Sequence, residues 1–160
     1  MNADAQLGGK MYYIGIDLGT SAVKLLLMEE SGKICNIVSK EYPLFFPHPG
    51  WSEQNPEDWF TQSVEGMKEL TEGIDRSKVA GIGFGGQMHG LVTLDENDKV
   101  IRPAILWNDG RSQKETEYLN NEIGKEKLSA YTANIAFAGF TAPKILWMKK
   151  NEPEKFAKIA

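Results

Sequence analysis

The sequence predicts an α/β domain in which a mixed sheet, opened by an antiparallel three-strand meander, is flanked by helices. Three short β-prone runs follow one another from residue 12 to residue 42, joined by tight turns. A strongly signalled helix and a strand of small residues come next. The order is therefore β-β-β-α-β, and further strands and helical patterns fill the rest of the chain.

The first run, Tyr12-Tyr13-Ile14-Gly15-Ile16, ends in Asp17. The turn Asp17-Leu18-Gly19-Thr20-Ser21 leads to the second run, Ala22 to Met28. Glu29-Glu30-Ser31-Gly32 signals another turn, and Lys33 to Tyr42 makes the third strand. Pro43 to Trp51 holds three prolines, which cannot continue a sheet, so this stretch is a loop and His48 belongs to it. Asn55-Pro56-Glu57-Asp58 starts a helix, with Asn at the cap, Pro at the first position and acids in the first turn. Phe60, Val64, Met67, Leu70 and Ile74 then recur close to every 3.6 residues, and Gly73 weakens the end. Val79 to Phe84 reads as a buried strand. Leu91 to Leu94 reads as another, Asp95 to Asp98 as a polar turn, and Val100 to Trp107 as an extended stretch broken by Pro103. Helices are expected over Ser112 to Ile123, Lys125 to Tyr131 and Pro143 to Lys150, with Pro153 opening a last one.

At 160 residues the chain is long enough for one compact domain with a core, and its 41% apolar and 25% charged residues are an ordinary globular mix. A net charge of -4 argues against a nucleic-acid binder, which would carry a basic face. It does not exclude phosphate ligands, because backbone N–H groups hold these locally. The single cysteine, Cys35, cannot form an internal disulfide and reads as a packing residue between Ile34 and Ile37. No apolar run approaches the roughly 18 residues of a membrane span. Residues 1–10 lack the basic-then-apolar order of a signal peptide and read as a disordered leader to a domain over 11–160. A cytoplasmic location is the default expectation.

Four stretches carry candidate chemistry. In the first turn, Gly19 leaves backbone N–H groups accessible to phosphate, and Thr20 and Ser21 add hydroxyls. Asp17 can hold Mg²⁺ through water, and Lys24 reaches either a phosphate or solvent. The alternative is a hairpin with an Asx-type turn residue. Gly81 to Gly86 contains G-x-G-x-x-G, but it runs into a loop instead of opening a helix, so a dinucleotide site is rejected. Its glycines are read as letting a neighbouring element approach closely. Gln87-Met88-His89-Gly90 is a candidate ligand loop whose amide and imidazole suit sugar hydroxyls; a structural histidine is the alternative. In Trp107-Asn108-Asp109-Gly110-Arg111 an aromatic face suits the C–H face of a sugar, with polar groups beside it. Alternatively Trp107 is core, and Asp109 and Arg111 pair with each other or cap the next helix. There is no Walker-type loop, zinc spacing or nucleophile elbow.

Together these residues resemble the FGGY carbohydrate kinases, most closely the branch that acts on D-xylulose. The matching stretches run in the family's order: Ile14 to Ser21, His48 to Gln54, Gly86 to Gly90, Arg102 to Arg111, and Gly139 to Lys144. The resemblance implies an actin-like, ribonuclease-H-like ATPase fold with two such domains, this chain being part of the first. It implies transfer of the ATP γ-phosphoryl group to the terminal hydroxyl of D-xylulose, with Mg²⁺. Carried over residue by residue, Asp17 is the acid near Mg²⁺ and the phosphates, and Gly19, Thr20 and Ser21 form the phosphate turn with Lys24 nearby. Met88 and His89 take the sugar-contact position, where the glycerol-specific branch has an Arg-Glu pair, and Trp107 lies against the sugar. The family's catalytic Asp base and adenine-binding elements fall beyond residue 160. The isolated chain is therefore expected to be inactive, to need a C-terminal domain as its partner, and to self-associate through an apolar face that domain would cover. A sister kinase for another sugar or polyol, a stand-alone sugar-binding module and an actin-like assembly protein are the competing readings.

Overall fold

The computed structural model describes residues 10–160. They form two compact units, one from the residues through Tyr42 with Trp59–Gly86, the other from Pro43–Asp58 with Gln87–Ala160. Where length alone predicts one core, each unit has its own hydrophobic cluster. Of the expected leader, residues 1–9 lie outside the described residues, while Lys10 pairs with Glu29 at 3.0 Å.

The predicted meander is present as β1 (Tyr12–Leu18), β2 (Ala22–Glu29) and β3 (Ile34–Glu41). β1 pairs antiparallel with β2, and β2 with β3. β5 (Val79–Gly86) adds parallel to β1, giving the order β3-β2-β1-β5 and the expected mixed sheet. Side chains alternate between faces along a strand, so Val23, Leu25 and Leu27 share one face with Ile14 and Ile16 of β1 and are all buried. Helix α1 (Pro56–Leu70) covers that face, with Trp59, Met67 and Leu70 packed on the cluster. Gly66 lets the helix lie close, since a Cβ there would stand 2.5 Å from Leu25 Cδ1. Asn55 caps as predicted, its Oδ1 accepting the Glu57 N–H at 3.3 Å.

Two expectations fail in this unit. β5 is not buried, and Phe84 is 79% exposed. Among the described residues β5 pairs only with β1. A groove of about 660 Å³ remains, lined by Ile14, Ile16, Phe60, Met67, Ile82 and Phe84. Phe60 keeps its place in the helical period yet is 69% exposed, because it borders this groove. Cys35 is exposed and not a packing residue, as are Ile34 and Ile37 beside it on the edge strand.

In the second unit, β4 (Glu53–Gln54) pairs antiparallel with β6 (Ala104–Ile105). The strand expected over Leu91 to Leu94 reduces to isolated bridges, Leu91 to Ile105 and Leu94 to Val100. Its partner run is interrupted by Pro103, which has no N–H to donate. The helix expected from Ser112 is α2 (Gln113–Tyr118) running into a π-helical turn, Leu119–Gly124. α3 (Lys125–Thr132), α4 (Thr141–Asn151) and α5 (Pro153–Phe156) follow as expected. The cluster of Leu91, Ile105, Trp147 and Met148 lies among buried charged residues that include Glu53, Arg102, Asp109, Glu115 and Lys144. No helix among the described residues is long and apolar enough to cross a membrane.

Candidate functional site

On the sheet face opposite α1, Lys24 stands directly across from Asp17, and Asp17 directly across from Gly85. Directly opposed residues share a face, so Lys24 and Asp17 rise from one side of the sheet. Gly15, Gly83 and Gly85 share the open trough of about 470 Å³ that they line. A Cβ at Gly83 would meet no atom within 4 Å, so the floor beside the exposed Asp17 carboxylate is bare backbone. The glycine string that fails as a dinucleotide fingerprint thus clears this floor. Close approach, the role expected of all its glycines, holds strictly for Gly86, where a Cβ would come within 2.8 Å of the Leu18 carbonyl oxygen.

The turn itself is a hairpin as well as a candidate phosphate loop. The Gly19 N–H donates to the Ala22 carbonyl at 3.0 Å, so that amide is already committed. Tyr42, which the sequence marks only as the end of a strand, secures the turn from below. Its hydroxyl donates to the Gly19 carbonyl, and its N–H donates to the Ser21 carbonyl at 3.3 Å. Burial pushes the Tyr42 phenol up to about 12, and the negative charge of Asp17 adds to the effect.

In the second unit Met88 is 69% and Trp107 49% exposed. His89 has φ 64, in the left-handed region that non-glycine residues rarely occupy. Its ring stacks on Phe140 at 4.4 Å. Its carbonyl accepts from Lys144 Nζ at 2.7 Å and from Thr141 Oγ1 at 3.3 Å. Gln87 donates to Gln54 Oε1 at 3.2 Å, while its own Oε1 is buried without a partner. Gly139 backs onto the Trp107 carbonyl, where a Cβ would stand 2.5 Å from the oxygen. Lys144 Nζ donates to the Gly139 carbonyl at 2.6 Å, and burial pushes its ammonium down to about 8.

Asp109 and Arg111 pair with each other, one of the alternatives the sequence leaves open. The Asp109 carboxylate accepts from Arg111 Nε at 2.9 Å and Nη2 at 2.8 Å, and from the Ser52 N–H at 2.6 Å. The Arg111 guanidinium lies 3.7 Å from the Trp51 ring and within 2.7 Å of Glu53. Arg102 bonds Glu53 too, and Glu152 at 2.6 Å. His48 rests edge-on against Trp51 in the expected loop. No group of three or more His, Cys, Asp or Glu among the described residues could hold a metal ion.

Residues 12–160 match the N-terminal domain of the FGGY family of carbohydrate kinases. The xylulose kinase of Bacillus subtilis (strain 168) is 48% identical over 151 residues, which are 93% of this chain and 30% of that protein. Among solved structures, the xyloylose kinase of Brucella ovis superposes with a TM-score of 0.85 at 43% identity, over 92% of this chain and 31% of that one. The gluconate kinase of Lactobacillus acidophilus superposes with a TM-score of 0.87 at 30% identity, over 94% and 30% respectively. The chain thus spans about 30% of the length of the curated relatives it matches.

Proposed function

The chain belongs to the FGGY family of carbohydrate kinases, and on that premise we propose that it is the N-terminal portion of a xylulokinase. The complete enzyme transfers the γ-phosphoryl group of ATP to a terminal hydroxyl of D-xylulose. The observation that carries the reading is the Asp17 carboxylate standing over a glycine floor beside a hydroxyl-bearing turn.

Phosphoryl transfer asks a protein mainly for positioning and charge stabilisation. Asp17 is the residue that would hold Mg²⁺, through water. One exposed carboxylate above bare backbone fits an ion that keeps several of its own waters. When bound, Mg²⁺ supplies neutralisation of phosphate charge. Lys24 presents an ammonium from the same row of the sheet. Thr20 and Ser21 offer hydroxyls to phosphate oxygens. Gly19 keeps the turn tight, since a Cβ there would stand 2.9 Å from the Ala22 carbonyl oxygen, and its N–H is spent on the hairpin. Met88 and His89 contact the sugar, and Trp107 gives its ring to the sugar's C–H face. The base that takes the hydroxyl proton and the adenine pocket belong to the remainder of the full-length enzyme, the partner this chain requires. The enzyme works in the cytoplasm. Without its remainder, the chain self-associates through the apolar groove between α1 and β5.

An ADP-release assay on the full-length protein with D-xylulose, D-gluconate and glycerol tests the proposal. D-xylulose is expected to give the highest kcat/KM, and the 160-residue chain alone to give no turnover. The likeness to a gluconate kinase makes D-gluconate the second reading. Preference for D-gluconate would replace the substrate, and clear turnover by the chain alone would overturn the division of labour.

A further inference from the structure

We propose that Lys144 is a positioning residue, tethering the backbone beneath His89 to the backbone beneath Trp107 and so fixing the spacing of the two sugar-side groups. The proposal deepens the sugar-contact reading above and rests on it.

The Gly139 to Lys144 stretch belongs to the family pattern, yet no role in phosphate or sugar contact falls to it. Lys144 is fully buried, at 0% exposure. Its hydrogen bonds run to two main-chain carbonyls, those of His89 and Gly139, and not to a carboxylate. Burying an ammonium is costly, which is why its pKa falls even though the negative charge of Asp109 opposes the fall. A methionine of similar length would fill the same space without that cost. What the lysine adds is direction: one nitrogen joins a backbone carbonyl five residues before it to another 55 residues before it.

Both ends of the tether matter to candidate ligand residues. At one end, left-handed backbone at a non-glycine residue is strained and persists only where its surroundings over-determine it. At His89 they do: its carbonyl takes two donors, Lys144 Nζ and Thr141 Oγ1, and its ring is stacked on Phe140. At the other end, Gly139 lies against the Trp107 carbonyl with no room for a Cβ. Lys144, by holding the Gly139 carbonyl, holds the surface on which Trp107 rests. The start of α4 thereby becomes a gauge between the imidazole and the indole.

The chain has two histidines, so the ring protons of His89 are read by NMR with His48 as the internal reference. In Lys144→Met the His89 resonances are expected to move toward unstacked values while those of His48, held against Trp51, stay. Two unchanged histidines would show that Lys144 does not hold His89. Two that collapse together would reduce the lysine to general support of the fold. In the full-length kinase, Lys144→Met is expected to raise the KM for the sugar at least about tenfold and leave the KM for ATP within about twofold. Equal changes for both substrates would overturn the proposal. Should that variant not fold, Gly139→Ala moves the Trp107 backbone while leaving every donor in place, and an unchanged sugar KM would be equally fatal. A wild-type enzyme inactive on all sugars would sink the functional reading, and the histidine resonances would still decide the tether.

Discussion

In the first unit Asp17 and Lys24 stand on one face of a sheet whose other face carries an apolar core, whereas in the second unit His89 and Trp107 rest on backbone pinned by buried charges. The first arrangement is built mainly from local pieces. A hairpin sets Lys24 against Asp17, the parallel strand β5 brings Gly85 alongside, and Val23, Leu25 and Leu27 supply the core below. The second depends on partners far apart in the chain: Arg111 with Glu53, Arg102 with Glu152, Lys144 with His89. An aliphatic core loses stability by degrees when a side chain is shortened. A buried ionic network fails abruptly, because removing one partner leaves the other charged and unsatisfied.

The sharpest break of this contrast is Arg111→Ala. It leaves Asp109 and Glu53 buried without their shared guanidinium, and should cost about 3–5 kcal/mol in urea unfolding followed by tryptophan fluorescence. A cost below 1 kcal/mol would mean that the network is not the frame of the second unit. Leu25→Ala in the first unit should cost about 3 kcal/mol, the price of a cavity beneath α1.

Tyr42→Phe is milder, about 1 kcal/mol, because it removes one hydrogen bond to the turn. It also has a pH signature. The Tyr42 phenol is raised in the folded state from 10.0 to about 12, so the folded protein holds a proton that the unfolded chain has released. The associated stability is complete below pH 10 and is lost as pH rises through 12. The difference between wild type and Tyr42→Phe, measured from pH 9 to pH 12, should shrink along that limb. Gly83→Ala should be smallest of all, within about 0.5 kcal/mol, since nothing lies within 4 Å of the added methyl. A larger destabilisation would show that the floor of the trough is covered.

What was legible in the sequence follows the same division. The meander, the Asn55 cap and the order of elements rest on neighbours in the chain, and the structure keeps them. The ordered motifs were enough to place the chain in its family. The exposure of β5 was illegible because small apolar residues read as buried whether or not another element covers them. Cys35 misled for the same reason, its apolar neighbours belonging to an uncovered edge strand. Asp109 and Arg111 stayed open between ligand and ion pair, because the Ser52, Glu53 and Trp51 groups that decide the matter lie more than fifty residues away. Tyr42 and Lys144 gave no signal beyond their places at a strand end and in a helix, and their roles appear only when their carbonyl partners are seen.

The division proposed gives phosphate handling to Asp17 and sugar recognition to the second unit. In the full-length kinase, Asp17→Asn measured by ADP release with D-xylulose, beside calorimetry with the sugar alone, tests it most directly. Turnover should fall by about a hundredfold or more while sugar affinity stays within about twofold. Undiminished turnover, or sugar affinity lost along with it, would contradict the account.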